Sequence, residues 1–122
     1  MGCEITIVKE DGYVRVHATG ELDLVAARQI VVAGRKAAVE HQCGKLLIDV
    51  RDVALRLSLA DLLAVADFAS QVEPRLYIKA AVVSREEDLQ PDRFFEKAAR
   101  NRGVHLTVFT AAEAAVQWLL EK

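Results

Sequence analysis

The sequence predicts an α/β domain in which a β-hairpin opens a mixed, mostly parallel sheet of about five strands packed against four helices. Residues 46–50 and 80–83 are nearly unbroken apolar runs, the pattern of parallel strands covered on both faces. Stretches between and around them carry apolar residues at helical spacing. Asp11-Gly12 joins two β-type runs at the start, and that pair tolerates the positive φ angles of a tight turn.

The first two runs are residues 4–8 and 13–19. In the second, Val14, Val16 and Ala18 alternate with Tyr13, Arg15 and His17, so one face is covered and the other wetter. Asp23 is placed to cap a helix over 24–42, with Ala27, Ile30, Val31, Gly34 and Ala38 inward and Gly44 as its stop. The strand at 46–50 follows. Ser58 then caps a helix to about residue 72, with Leu59, Leu62, Leu63, Ala66 and Ala69 inward, Asp61, Asp67 and Gln71 outward, and Pro74 ending it.

A strand is expected over 77–83. Pro91 lies in the first turn of a helix that runs to Arg102 and is stopped by Gly103. After a last strand at 104–109, Thr110 and Glu113 have capping-box spacing, and Ala112, Ala115, Val116, Leu119 and Leu120 line the final helix. The order is ββαβαβαβα in one domain, 1–122, with right-handed crossovers.

Composition narrows the functional classes. At 122 residues with 52% hydrophobic side chains, the chain buries roughly two-thirds of its unfolded surface without a staple. A net charge of -2 supplies no positive field for a phosphate backbone, so nucleic acid is not an expected partner. No apolar stretch approaches the ~20 residues of a membrane span. Cys3 and Cys43 are far apart with no Cys-x-x-Cys spacing, which favours a reducing cytoplasm.

Chemistry in an open α/β sheet concentrates at the carboxyl ends of the parallel strands. No phosphate-binding glycine loop and no Gly-x-Ser-x-Gly elbow occurs, and His17, His41 and His105 have no second ligand or nucleophile at useful spacing. No cofactor, metal or enzymatic activity is expected. Asp23, Asp49 and Asp52 could gather at one sheet end as in a phosphoryl-accepting receiver, but caps and loop hydrogen bonds explain them more simply. Ser58 is the hydroxyl of most interest, because a helix N-terminus favours an added phosphate; as an ordinary residue it is simply an N-cap.

Two segments resemble the STAS domain, the SpoIIAA-like superfamily of anti-sigma factor antagonists and transporter tails. One is Gly20-Glu21-Leu22-Asp23 followed by Ala27 and Ile30; the other is Lys45-Leu46-Leu47-Ile48-Asp49-Val50-Arg51-Asp52-Val53. The resemblance implies a SpoIIAA-like fold and a non-catalytic module that binds a protein partner in bacterial signalling of the sigma-factor partner-switching kind. It makes Ser58 the candidate phosphosite, although Leu57-Ser58-Leu59-Ala60 stands where the antagonists read Asp-Ser-Ser-Gly. The candidate interaction surface is Gly20, Glu21, Asp23, Arg51, Asp52, Ser58 and Asp61.

Residues 92–103 look more like a stand-alone bacterial branch whose fold is also related to CRAL-TRIO lipid carriers. That likeness implies an alternative, a carrier of a small apolar ligand, with Leu55, Leu57, Phe68, Phe94 and Phe95 as candidate lining. Exposed edge strands leave a homodimer open.

Overall fold

The computed structural model describes residues 2–72 and 78–121. Its strands are β1 (Cys3–Lys9), β2 (Val14–Leu22), β3 (Lys45–Leu55), β4 (Lys79–Val83) and β5 (His105–Phe109). The helices are α1 (Leu24–Glu40), α2 (Leu59–Gln71), α3 (Leu89–Asn101) and α4 (Ala112–Leu120), with a short 3-10 turn at Glu86–Asp88 ahead of α3. The five strands form one sheet in the order β1-β2-β3-β4-β5, antiparallel between β1 and β2 and parallel elsewhere. The expected hairpin, element order and mixed sheet are therefore present.

Because the strand order never reverses, right-handed crossovers put every connecting helix on the same side of the sheet. Val16, Ala18, Val50 and Val82 face that side, against Ala27 and Ile30 of α1. Among the described residues the helix α4 alone covers the other face, burying Ala115 and Leu119 on Leu47, Ala81 and Val83. It packs on β3, β4 and β5, so the β2 side chains Arg15 and His17 stay half-exposed.

The helix α2 packs on α1 and α3. Its buried residues are Leu62, Val65, Ala66 and Ala69, whereas Leu59 is 59% and Leu63 38% exposed. The expectation that Leu59 and Leu63 point inward is corrected. Apolar residues occur almost all round this helix, so periodicity does not single out its inner stripe, and its neighbouring helices do.

Three local expectations also change. Gly44 does not stop α1; the helix ends at Glu40, and Gln42 takes the left-handed conformation at φ 50°. The Thr110–Glu113 box does not form, because α4 starts at Ala112 with Ala111 at its N-cap and no side-chain cap. Glu113 thus falls one position short of the site from which it could reach back. The strands β2 and β3 run on to Leu22 and Leu55, so Gly20, Glu21, Arg51 and Asp52 belong to strands rather than loops. Pro74 and the expected strand start at Tyr77 lie outside the described residues.

Register explains one further feature. His17 pairs with Asp49 and Thr19 with Asp52, so β3 carries one residue more than β2 between these pairs. That bulge brings Val50 and Val53 both into the core on the α1 side. The opposite face of β3 receives the buried carboxylate of Asp49.

Candidate functional site

The carboxyl end of the sheet is built by short-range rules. Gly20 has φ +100°, and a Cβ there would run into the Gly2 carbonyl oxygen, so the β1–β2 pairing requires a glycine. The Glu21 amide donates to that same oxygen at 3.3 Å, and its carboxylate pairs with Arg56 at 3.7 Å. Leu22 is buried, and its carbonyl accepts from the Arg56 amide at 2.9 Å. Asp23 caps α1, its Oδ1 accepting from the Ala26 amide at 2.9 Å. Each residue of Gly20-Glu21-Leu22-Asp23 thus has a structural duty.

Ser58 opens α2 on the exposed rim. Its hydroxyl accepts from the Asp61 amide at 3.1 Å, while the Asp61 carboxylate accepts from the Ser58 amide at 3.0 Å. This capping box satisfies two free amides of the helix start and leaves Asp61 half-buried, turned back on its own helix.

Arg51 and Asp52 join the other face of the sheet. Arg51 donates to Asp49 through Nε, a terminal guanidinium nitrogen and its backbone amide at 2.8–3.1 Å, and Arg15 approaches the same carboxylate at 3.5 Å. Burial raises the Asp49 pKa, but the Arg51 hydrogen bonds, with the Arg51 and His17 charges, outweigh it and hold the carboxyl below its ordinary value. Asp52 is exposed and pairs with His17 at 2.8 Å. The structure therefore places Asp23, Ser58 and Asp61 at the starts of α1 and α2, while Glu21 alternates onto the sheet face that carries His17, Arg51 and Asp52, with Gly20 between them in the ladder.

Behind this rim, a cavity of about 510 Å³ lies between the sheet and α1 to α3. Of the candidate lining residues, Leu55, Leu57 and Phe95 border it. Phe68 and Phe94 do not: Phe68 lies beneath the Arg28 guanidinium, 5.8 Å from its ring centroid, and Phe94 is half-buried away from the lining. Adjacent positions on a helix diverge by about 100°, so Phe95 turns Phe94 away.

Sequence reasoning missed Asp92 and Ser84. Asp92 lines the cavity at only 8% exposure and accepts a hydrogen bond from the buried Ser84 hydroxyl. Burial raises its pKa with help from the Asp88 charge, against the hydrogen bond from Ser84 and the Arg85 charge. An acidic residue after Pro91 in a first helical turn looks like ordinary capping chemistry, and nothing local marks it as buried. Among the described residues no group of three His, Cys, Asp or Glu side chains could hold a metal ion, and no helix is long and apolar enough to cross a membrane.

No family model matches the chain, and no curated protein matches it. Solved structures do. An anti-sigma factor antagonist from Mycobacterium paratuberculosis superposes with a TM-score of 0.67 at 18% identity, over 98% of this chain and 96% of the other. A protein from Shewanella loihica PV-4 described as having a SpoIIAA-like fold superposes with a TM-score of 0.60 at 20% identity, over 97% of this chain and 94% of the other. The chain has the SpoIIAA-like fold. At these identities the likeness is one of fold, and within this SpoIIAA-like frame the rim at Ser58 and the cavity behind α2 are the two candidate sites.

Proposed function

We propose that this domain is a non-catalytic regulatory module of STAS type that binds a protein partner at the carboxyl end of its parallel sheet. The observation that carries the reading is the exposure of Leu59 and Leu63 beside the Ser58 cap, with Val25 63% exposed in the first turn of the adjoining α1. Large apolar side chains exposed at the starts of two neighbouring helices, next in the chain to the polar caps Asp23 and Ser58, have the composition of a contact patch. The fold likeness to an anti-sigma factor antagonist supports a partner of the sigma-factor partner-switching kind. Affinity capture from the source cell, comparing the native chain with Leu59→Asp, tests the surface. Loss of a stoichiometric partner in the variant is expected, and unchanged capture would remove this surface from the reading.

A second reading, a carrier of a small apolar ligand, is favoured by the 510 Å³ cavity. That volume lies in the ~300–1,000 Å³ range of small-molecule sites. Native mass spectrometry of gently purified protein tests it; retained mass is expected, and a bare chain that also refuses added apolar ligands would end the carrier reading.

A further inference from the structure

The cavity is apolar along its strands and polar at its ends. At the carboxyl end stands Asp92, whose Oδ2 accepts from Ser84 and whose Oδ1 takes no hydrogen bond among the described residues. Asp92 is 8% and Ser84 1% exposed, so this is a built polar position inside the protein rather than a surface charge. At the opposite end Arg35 and Arg102 border the space, and both guanidiniums are committed. Arg35 donates to the Ala69 and Val72 carbonyls, and Arg102 to the Ala98 carbonyl and the Asp67 carboxylate.

These ends sort ligands by head group. A carboxylate head would have to compete with existing acceptors for either arginine, and at the other end it would meet Asp92 with the Asp88 charge nearby. A buried ammonium would pair with Asp92 only after losing its hydration, a cost of several kcal/mol on the order of that for any buried ion. A hydroxyl loses little hydration and meets the open Oδ1 in a low-dielectric site, where one unmade hydrogen bond costs about 1–3 kcal/mol. Shape agrees: Ile78, Ala80 and Val82 line the cavity in a row, and the run from 78 to 82 spans about 13 Å at ~3.3 Å per residue, room for a straight chain lying parallel to the strands.

We propose that the cavity binds one elongated, uncharged apolar molecule bearing a hydroxyl group, and that this hydroxyl donates a hydrogen bond to Asp92. The inference rests on the carrier reading and adds the ligand class and the residue that selects it.

Isothermal titration calorimetry with dodecanol, dodecanoate and dodecylamine, with native mass spectrometry for stoichiometry, tests it on the full chain. One dodecanol per chain, bound roughly tenfold or more tightly than either charged analogue, is expected. Asp92→Leu should still bind the apolar chain but lose that preference, and Asp92→Asn, whose single oxygen is held by Ser84 and which is left with an N–H for the ligand, should lose the discrimination against dodecanoate. Ala69→Phe should abolish binding by filling the cavity, with Ala27→Phe as a second filling variant and circular dichroism to establish that each is folded. If the folded native protein binds none of the three, the carrier reading fails and the inference with it. If binding occurs without preference for the alcohol, or the preference survives in Asp92→Leu, the hydroxyl assignment is overturned and the carrier reading stands.

Discussion

Ser58 and Asp61 each satisfy the other's backbone amide at the start of α2, the hydroxyl at 3.1 Å and the carboxylate at 3.0 Å. Removing the hydroxyl with Ser58→Ala should cost about 1 kcal/mol and lower Tm by roughly 4 °C in thermal unfolding. The same pairing bears on phosphorylation. A phosphate on Ser58 would meet the helix dipole favourably but lie against the Asp61 carboxylate, so two negative groups would compete for one helix end. Ser58→Asp should therefore gain stability when combined with Asp61→Asn at low salt, and the gain should shrink at high salt. Equal melting of Ser58→Asp with and without Asp61→Asn would show that no such competition exists.

Caps of this kind were legible because they are local. Asp23 and Ser58 announce α1 and α2 by residue type and spacing, and Asp11-Gly12 announces the hairpin, where Gly12 takes φ +92°. The inner stripe of α2 was not legible, since Leu59, Leu62, Leu63 and Val65 are all apolar and only packing against α1 and α3 chooses among them. Of the candidate site residues, the helix caps Asp23, Ser58 and Asp61 stand at helix starts, while Glu21, Arg51 and Asp52 share the opposite sheet face, because β2 and β3 continue past their apolar runs and β3 carries a bulge that no turn residue signals. The Ser84–Asp92 pair was invisible for a different reason. It joins the end of a strand to the next helix inside the protein, and its burial depends on elements far apart in the chain.

Gly20 gives a prediction about the hairpin. With φ +100° and the Gly2 carbonyl occupying the space of a Cβ, Gly20→Ala must either strain the backbone or push the start of β1 off β2. A loss of about 1–3 kcal/mol in urea unfolding is expected. Hydrogen exchange should show it concentrated at the Cys3 end of β1, leaving Val14 and Val16 protected. A uniform loss of protection would contradict the local account.

Asp49 makes acid stability a test of the Arg15–Asp49–Arg51 group. Its folded pKa lies below the unfolded value, so its contribution is present above the ordinary carboxylate range, near pH 4, and is lost as pH falls through the folded value. Because Arg15 and Arg51 are 41% and 39% exposed, solvent screening keeps that contribution to about 1 kcal/mol. Asp49→Asn should cost about that much at pH 7 and progressively less below pH 4 in denaturant unfolding. A penalty independent of pH would assign the loss to packing instead.

Asp92 should behave with the opposite sign. Burial raises its folded pKa above the unfolded value, so the native state favours the protonated acid. The associated stability is fully present below the ordinary carboxylate value and is lost as pH rises through the folded pKa. Asp92→Asn keeps an oxygen for the Ser84 hydroxyl but carries no charge, so it should match the native chain at low pH and become more stable than it at pH 7 and above. Ser84→Ala should do the reverse: it removes the hydrogen bond that favours the ionised form, so its cost should grow as pH rises and Asp92 ionises. Unfolding curves for both variants across this range would establish whether an ionisable carboxyl stands at the end of the cavity, because two purely structural substitutions would shift stability by amounts that do not change with pH.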